Sequence, residues 1–195
     1  SSATQPVFEK LQEFPLLVSD KEMVKLDQSQ RGVFARQNYH LLGNGRELEP
    51  EELLEAALEK ERTQNPLMIV CNTKSEALQL YLGLKERADS DTEVRNLSAS
   101  MCKEHRKAIL AEVQSILQRI QTGQTSEKLI LVTTQLVEAG VNLSFRSVIR
   151  ILAGNDNLVQ AAGRCNRSNE YGTGDVYLVR IKEEKKKLQN LPDII

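Results

Sequence analysis

Short apolar runs, separated by stretches with helical spacing, form the clearest pattern along the chain. LMIVCN at 67–72 is apolar on both faces and too short for a helix, which is how a strand buried in a parallel sheet reads. VRNLSAS at 94–100, LILVTTQ at 129–135, SVIRILA at 147–153 and DVYLVRI at 175–181 repeat that signature. Between and before them lie helical patterns. Pro50 stands where a first helical turn tolerates it, acidic residues crowd that turn, and Leu53, Leu54, Ala57 and Leu58 form one apolar stripe. Ser75 to Arg87 reads as a second helix, and Ile109, Val113, Ile116, Leu117 and Ile120 share one face of a third. Strands alternating with helices predict an α/β domain with a mainly parallel central sheet flanked by helices. Residues 1–48 are weakly periodic and read as a lead-in segment, irregular or in short strands, with the domain proper over 49–195. In sheets of this kind ligands gather at the carboxyl ends of the strands, so the polar residues after each strand are the first candidates for function.

Composition narrows the picture only modestly. With 195 residues, 40% of them hydrophobic, the chain is long enough for one domain with a sizeable core. The near balance of 26 Lys plus Arg against 27 Asp plus Glu excludes a uniformly basic nucleic-acid binder and leaves room for a local basic strip. Cys71, Cys102 and Cys165 lack paired spacing, and His40 and His105 form no ligand cluster with them, so no metal site is expected in the chain itself. This usage suits a reducing compartment. No apolar run approaches the roughly 20 residues needed to span a bilayer, and the first residues lack the apolar core of a signal peptide. A soluble, cytoplasmic protein of a prokaryotic type is expected, with no membrane partner.

The most specific stretch is Gln160-Ala161-Ala162-Gly163-Arg164-Cys165-Asn166-Arg167. On a helix, Gln160, Arg164 and Arg167 would project from one face in a column. Guanidinium forks stay charged, grip phosphate oxygens in two-pronged fashion and stabilise a transferring phosphoryl group. Gly163 in such a helix would imply close approach of another backbone. Without context, two arginines at this spacing are most simply a solvated helix face paired with acids.

Context changes that reading. The stretch resembles motif six of superfamily 2 helicases, Gln-x-x-Gly-Arg-x-x-Arg, at every fixed position. Upstream, VTTQLVEAGVNLSF at 132–145 resembles motif five, MIVCNTKSEALQLYLGLK resembles motif four, and LSASMCKEHRKAIL resembles the strand, turn and helix between them. Within the superfamily, TTQLVEAGVNLSF leading to LVQAAGRCNRS is most similar to the CRISPR-associated helicase-nuclease of type I systems. The resemblance implies a RecA-like three-layer fold, the second of two motor domains, and a parent that couples ATP hydrolysis to movement along single-stranded DNA beside a nuclease domain. Other superfamily 2 DNA or RNA helicases share these motifs. A module of the same fold that binds nucleic acid or protein without hydrolysis is the alternative of a different class.

Carried over by the resemblance, Arg164 and Arg167 would be arginine fingers reaching the γ-phosphate, with Gln160, Gly140 and Asn142 near the nucleotide. Asn142 replaces the usual Asp of motif five, keeping a carbonyl acceptor and losing the charge. Thr134 would touch a nucleic-acid phosphate, and Asn72, Thr73, Ser98 and Ser100 would be further backbone contacts. Thr73 reads equally as a cap of the following helix. Arg146 and Arg150 could line the same track, although solvated surface positions are the simpler expectation. With four Phe, four Tyr and no Trp, the chain offers little base stacking.

A motor also needs a phosphate loop, Gly-x-x-x-x-Gly-Lys-Ser/Thr, and an acidic strand end for magnesium. Neither motif occurs in these 195 residues. ATP with Mg2+ would therefore be held mainly by a preceding RecA-like domain, and this chain alone is expected to be inactive. The implied partners are that domain, a nuclease domain of the same parent, single-stranded DNA and a CRISPR surveillance complex.

Overall fold

The computed structural model describes residues 37–98, 100–134, 143–152, 163–167 and 169–182. All strand pairs among them are parallel. The chain runs through β1 (Gln37–Leu41), a short 3-10 turn (Leu42–Gly45), β2 (Glu47–Leu48), α1 (Pro50–Gln64), β3 (Leu67–Cys71), α2 (Lys74–Arg87), β4 (Thr92–Leu97), α3 (Lys103–Gln121), β5 (Lys128–Thr134), β6 (Ser147–Ile151) and β7 (Gly174–Ile181). Across the sheet the order is β1-β7-β6-β3-β5-β4. Strand β2 continues beyond β1 along the same neighbour, pairing with Arg180 and Ile181 of β7. The last residues of the weakly periodic lead-in thus form the edge of the main sheet.

Each apolar run becomes a strand because the sheet is covered on both faces. In β3, Leu67, Ile69 and Cys71 face the cluster built with Leu53, Leu54 and Ala57 of α1 and Ala77, Leu80 and Leu84 of α2. Met68 and Val70 face the opposite cluster, which holds Ile109, Val113, Ile116 and Leu117 of α3. Two-sided burial of β3, β5 and β6 is why period-2 alternation is absent from their sequences. Each Leu or Ile buried there contributes about 1.5–3 kcal/mol. Leu58 and Ile120 complete their predicted stripes from partly buried positions.

The ends of the elements are set locally. The Glu49 backbone N–H donates to Glu52 Oε2 at 2.8 Å at the start of α1, and the Arg46 guanidinium grips the same carboxylate at 2.6 and 2.9 Å. Strand β3 stops at Cys71, one residue before the predicted end, because Asn72 and Thr73 turn to cap α2. Strand β4 begins at Thr92 and ends before Ser98, and β6 ends at Ile151.

The amino ends of the strands are tied by polar groups. The Glu61 carboxylate, 1% exposed, accepts from Thr92 Oγ1 at 3.3 Å and faces Lys128 Nζ at 3.8 Å. Burial pushes its pKa up, partly opposed by Lys128. Asp175, at the start of β7, receives His40 at 2.7 Å and Gln64 Nε2 at 2.9 Å. Among the described residues no helix is long and apolar enough to cross a membrane.

Candidate functional site

At the carboxyl end of the sheet, β3, β4 and β5 deliver four short polar side chains and one amide. Thr134 closes β5 in register with Cys71 of β3. Its hydroxyl oxygen is enclosed and has no hydrogen-bond partner among the described residues, and the same holds for Asn72 Oδ1. Buried polar oxygens without a protein partner are uncommon, which singles these two out at the strand ends. Ser98 and Ser100 follow β4, with their hydroxyls 2.9 Å apart; Ser98 is buried and Ser100 exposed.

Thr73 is a helix cap. Its Oγ1 accepts from the Glu76 backbone N–H at 3.1 Å, while Glu76 Oε2 accepts from the N–H groups of Asn72 and Thr73 at 3.0 and 3.2 Å. The backbone donors at this strand end therefore already serve α2. What remains here for a phosphate is side-chain chemistry: the Thr73 hydroxyl, which is exposed, and the Asn72 amide.

The arginines lie elsewhere. Over Gly163–Arg167 the chain is not a helix: Cys165 pairs in parallel with Phe145, through Phe145 N to Arg164 O at 3.0 Å and Asn166 N to Phe145 O at 2.8 Å. Phe145 precedes β6, and Cys165 packs against Gly174, the first residue of β7. Arg164 and Arg167 are thus held beside the amino ends of β6 and β7. This corrects one expectation: the helical column does not extend over Arg164 and Arg167. They also stand apart from the residues at the carboxyl ends. A five-residue strand such as β3 separates the two ends by roughly 17 Å at ~3.3 Å per residue.

The turn explains its own sequence. Cys165 and Asn166 are buried, whereas Arg164 is half-buried and Arg167 exposed. Asn166 adopts φ 46°, a left-handed conformation that Asn tolerates better than most residues. Its side chain donates to Gly172 O at 2.9 Å and accepts from Tyr171 N at 3.1 Å. Gly174 must be glycine for this packing, since a Cβ there would stand 2.6 Å from Cys165 Sγ and 2.8 Å from Asn166 Cβ. From the edge strand, Gln37 Nε2 donates to Cys165 O at 2.8 Å.

The electrostatics fit an anion. Burial and, second, the neighbouring Arg167 charge lower the Arg164 pKa. Two like charges on one turn favour an anion beside them, and guanidiniums remain charged throughout the physiological range.

Gln160, Gly140 and Asn142 lie outside the described residues. Arg146 is exposed, as expected of a surface charge. Arg150 is not on the surface: it is 2% exposed within β6 and donates to Val70 O at 3.1 Å, which removes it from any solvent-facing track. Sequence reasoning passed over Gln37, Cys165, Asn166 and Gly174. Only the Asn at a variable motif position, a residue type favoured at positive φ, carried a signal in advance.

The family model Cas3-like_C_2, described as CRISPR-associated nuclease/helicase Cas3, C-terminal, matches residues 63–170. A CRISPR-associated nuclease/helicase Cas3 of Haloferax volcanii is 58% identical over 43 residues, 22% of this chain and 5% of the relative. Its counterpart in Methanothermobacter thermautotrophicus is 27% identical over 135 residues, 68% of this chain and 15% of the relative. The chain thus spans only a small part of the length of these relatives. The crystal structure of T. fusca Cas3-ADP superposes with a TM-score of 0.61 at 20% identity, over 77% of this chain and 19% of that one. The shared architecture is the RecA-like fold of helicase C-terminal domains. With the family match extending over more than half of its length, the chain belongs to the C-terminal domain family of the CRISPR-associated nuclease/helicase Cas3.

Proposed function

We propose that this chain is the second motor domain of an ATP-dependent single-stranded-DNA translocase of CRISPR type I interference, inactive by itself. The observation that carries the reading is the pair Arg164 and Arg167, two guanidiniums on one pinned turn, with Arg164 lowered in pKa by burial and by its neighbour. Such a pair gains most by meeting a phosphate across a domain boundary.

When bound with Mg2+ to the preceding RecA-like domain, ATP supplies the phosphoryl group to be transferred. Arg164 and Arg167 act on its γ-phosphate as the domains close, stabilising the charge that develops there. Gln160, Gly140 and Asn142 are assigned beside the nucleotide on motif resemblance. At the carboxyl end, Thr134, Asn72, Thr73, Ser98 and Ser100 form the DNA track. Hydroxyls and an amide hold backbone phosphates without reading bases, which suits movement along any sequence. The nuclease domain of the same parent and a surveillance complex are the remaining partners of this reading.

Purified alone, the chain is expected to turn over no ATP above background. Steady turnover by the isolated chain that Arg167→Ala abolishes would overturn the half-site assignment.

A further inference from the structure

Building on the finger assignment, we infer that Gln37 and Asn166 are positioning residues for Arg164 and Arg167, so that the edge strand β1 sets the aim of the arginine pair. Neither residue points a charge at a ligand, yet Gln37 grips the two-residue segment between the arginines and Asn166, within it, ties it to the following loop. Gln37 Nε2 donates to Cys165 O at 2.8 Å from a strand that is itself paired with β7. Asn166 holds the following loop through Gly172 O and Tyr171 N.

The geometry makes this more than local stability. Cys165 is fixed on three sides: by Phe145 in the parallel bridge, by Gly174 beneath its sulfur and by Gln37 at its carbonyl. The first two contacts come from the sheet interior and remain whatever happens outside. The third comes from the edge, reached by a side chain rather than by backbone. Loss of the Gln37 donor leaves the turn attached but free to tilt about the Phe145 bridge, and Arg164 and Arg167 flank that axis. Asn166 governs the other degree of freedom. Its left-handed backbone turns the chain between the two arginines, and its side chain locks that turn to the loop ahead of β7. A misplacement of about 1 Å at a catalytic group can cost on the order of 10²-fold in rate.

The test uses the intact nuclease/helicase with both motor domains. Gln37→Met keeps the volume and removes the donor. Asn166→Gly keeps the left-handed backbone and removes both side-chain bonds. Each is compared with Arg167→Ala for the KM and kcat of ATP hydrolysis and for thermal unfolding. Expected are a fall in kcat of about 3- to 10-fold for Gln37→Met and about 10- to 100-fold for Asn166→Gly, bounded by the cost of misplacement. KM for ATP should change less than kcat, and Gln37→Met should unfold at the parent temperature. Gln37→Glu, which sets a carboxylate against Cys165 O, should fall below Gln37→Met.

If Arg167→Ala slows turnover while Gln37→Met and Asn166→Gly retain parental kcat, the positioning role is wrong and the finger assignment stands. Full turnover by Arg167→Ala would instead remove the finger assignment. Should Asn166→Gly fail to fold, Gln37→Met and Gln37→Glu decide by their order: kcat that is equal for both and for the parent overturns the proposal.

Discussion

The two ends of the sheet are furnished with opposite chemistry. At the carboxyl end stand neutral hydroxyls and an amide, some with enclosed oxygens that find no partner among the described residues. At the amino end stand two guanidiniums on a turn pinned from three sides, and Asp175 at the start of β7 receives His40 and Gln64. Neutral groups hold a phosphate loosely enough to release it at each step, whereas a cation pair is suited to one moment of high negative charge. On the function proposed above, the contrast separates track from trigger along the length of the strands.

The comparison can be broken most severely at the trigger. In the intact protein, Arg164→Ala or Arg167→Ala is expected to lower ATP turnover by about 10³, the scale of a lost arginine finger, with single-stranded-DNA affinity retained in a filter-binding or anisotropy titration. Equal loss of affinity would merge the two ends into one site. Next comes the packing under the turn. Gly174→Ala drives a methyl into Cys165 and Asn166 and is expected to destabilise the fold by about 1–3 kcal/mol, the usual cost of overpacking, read from urea unfolding.

At the track, Thr134→Val is expected to weaken DNA binding about five- to tenfold, the worth of roughly one hydrogen bond. Thermal stability should hold or rise, because an enclosed hydroxyl is replaced by a methyl of like size. A variant that loses stability without losing affinity would make Thr134 structural. The smallest effect is a control touching neither group of residues. Hydrogen bonds from Arg46, first, and from the Glu49 backbone lower the Glu52 pKa from 4.5 to about 2. A depressed carboxylate contributes stability above pH 4.5 that is lost as pH falls through about 2. Glu52→Gln should therefore flatten part of the acid limb of a stability titration, with an effect reduced by solvent screening at this exposed site.

Strand and helix positions were legible because burial writes itself into apolar runs: LMIVCN could be read as a central strand before its neighbours were known. The ends of elements were less so. Asn72 reads as the last strand residue and Thr73 equally as a contact or a cap, and the reach of Glu76 back to their amides shows that the turn caps α2. The motif drew attention to Arg164 and Arg167, but their setting was misread. Four-and-three spacing is helical in a helix, and the pairing of Cys165 with Phe145 is decided by residues distant in sequence. Arg150 was misread for a related reason: a charged residue in an apolar run reads as surface until a carbonyl such as Val70 O is found to receive it inside. No local pattern could have found Gln37, whose partner lies 128 residues away.

That separation has a consequence for how the domain assembles. Strands β3, β4 and β5 pair among near neighbours in the chain, but β1 must wait for β7 to be in place before it can add to the edge. Closing so long a loop is entropically costly and slow relative to local pairing. The bond from Gln37 to Cys165 is thus expected among the last to form as the chain folds, and the arginine turn acquires its final aim only when the earliest described strand has docked.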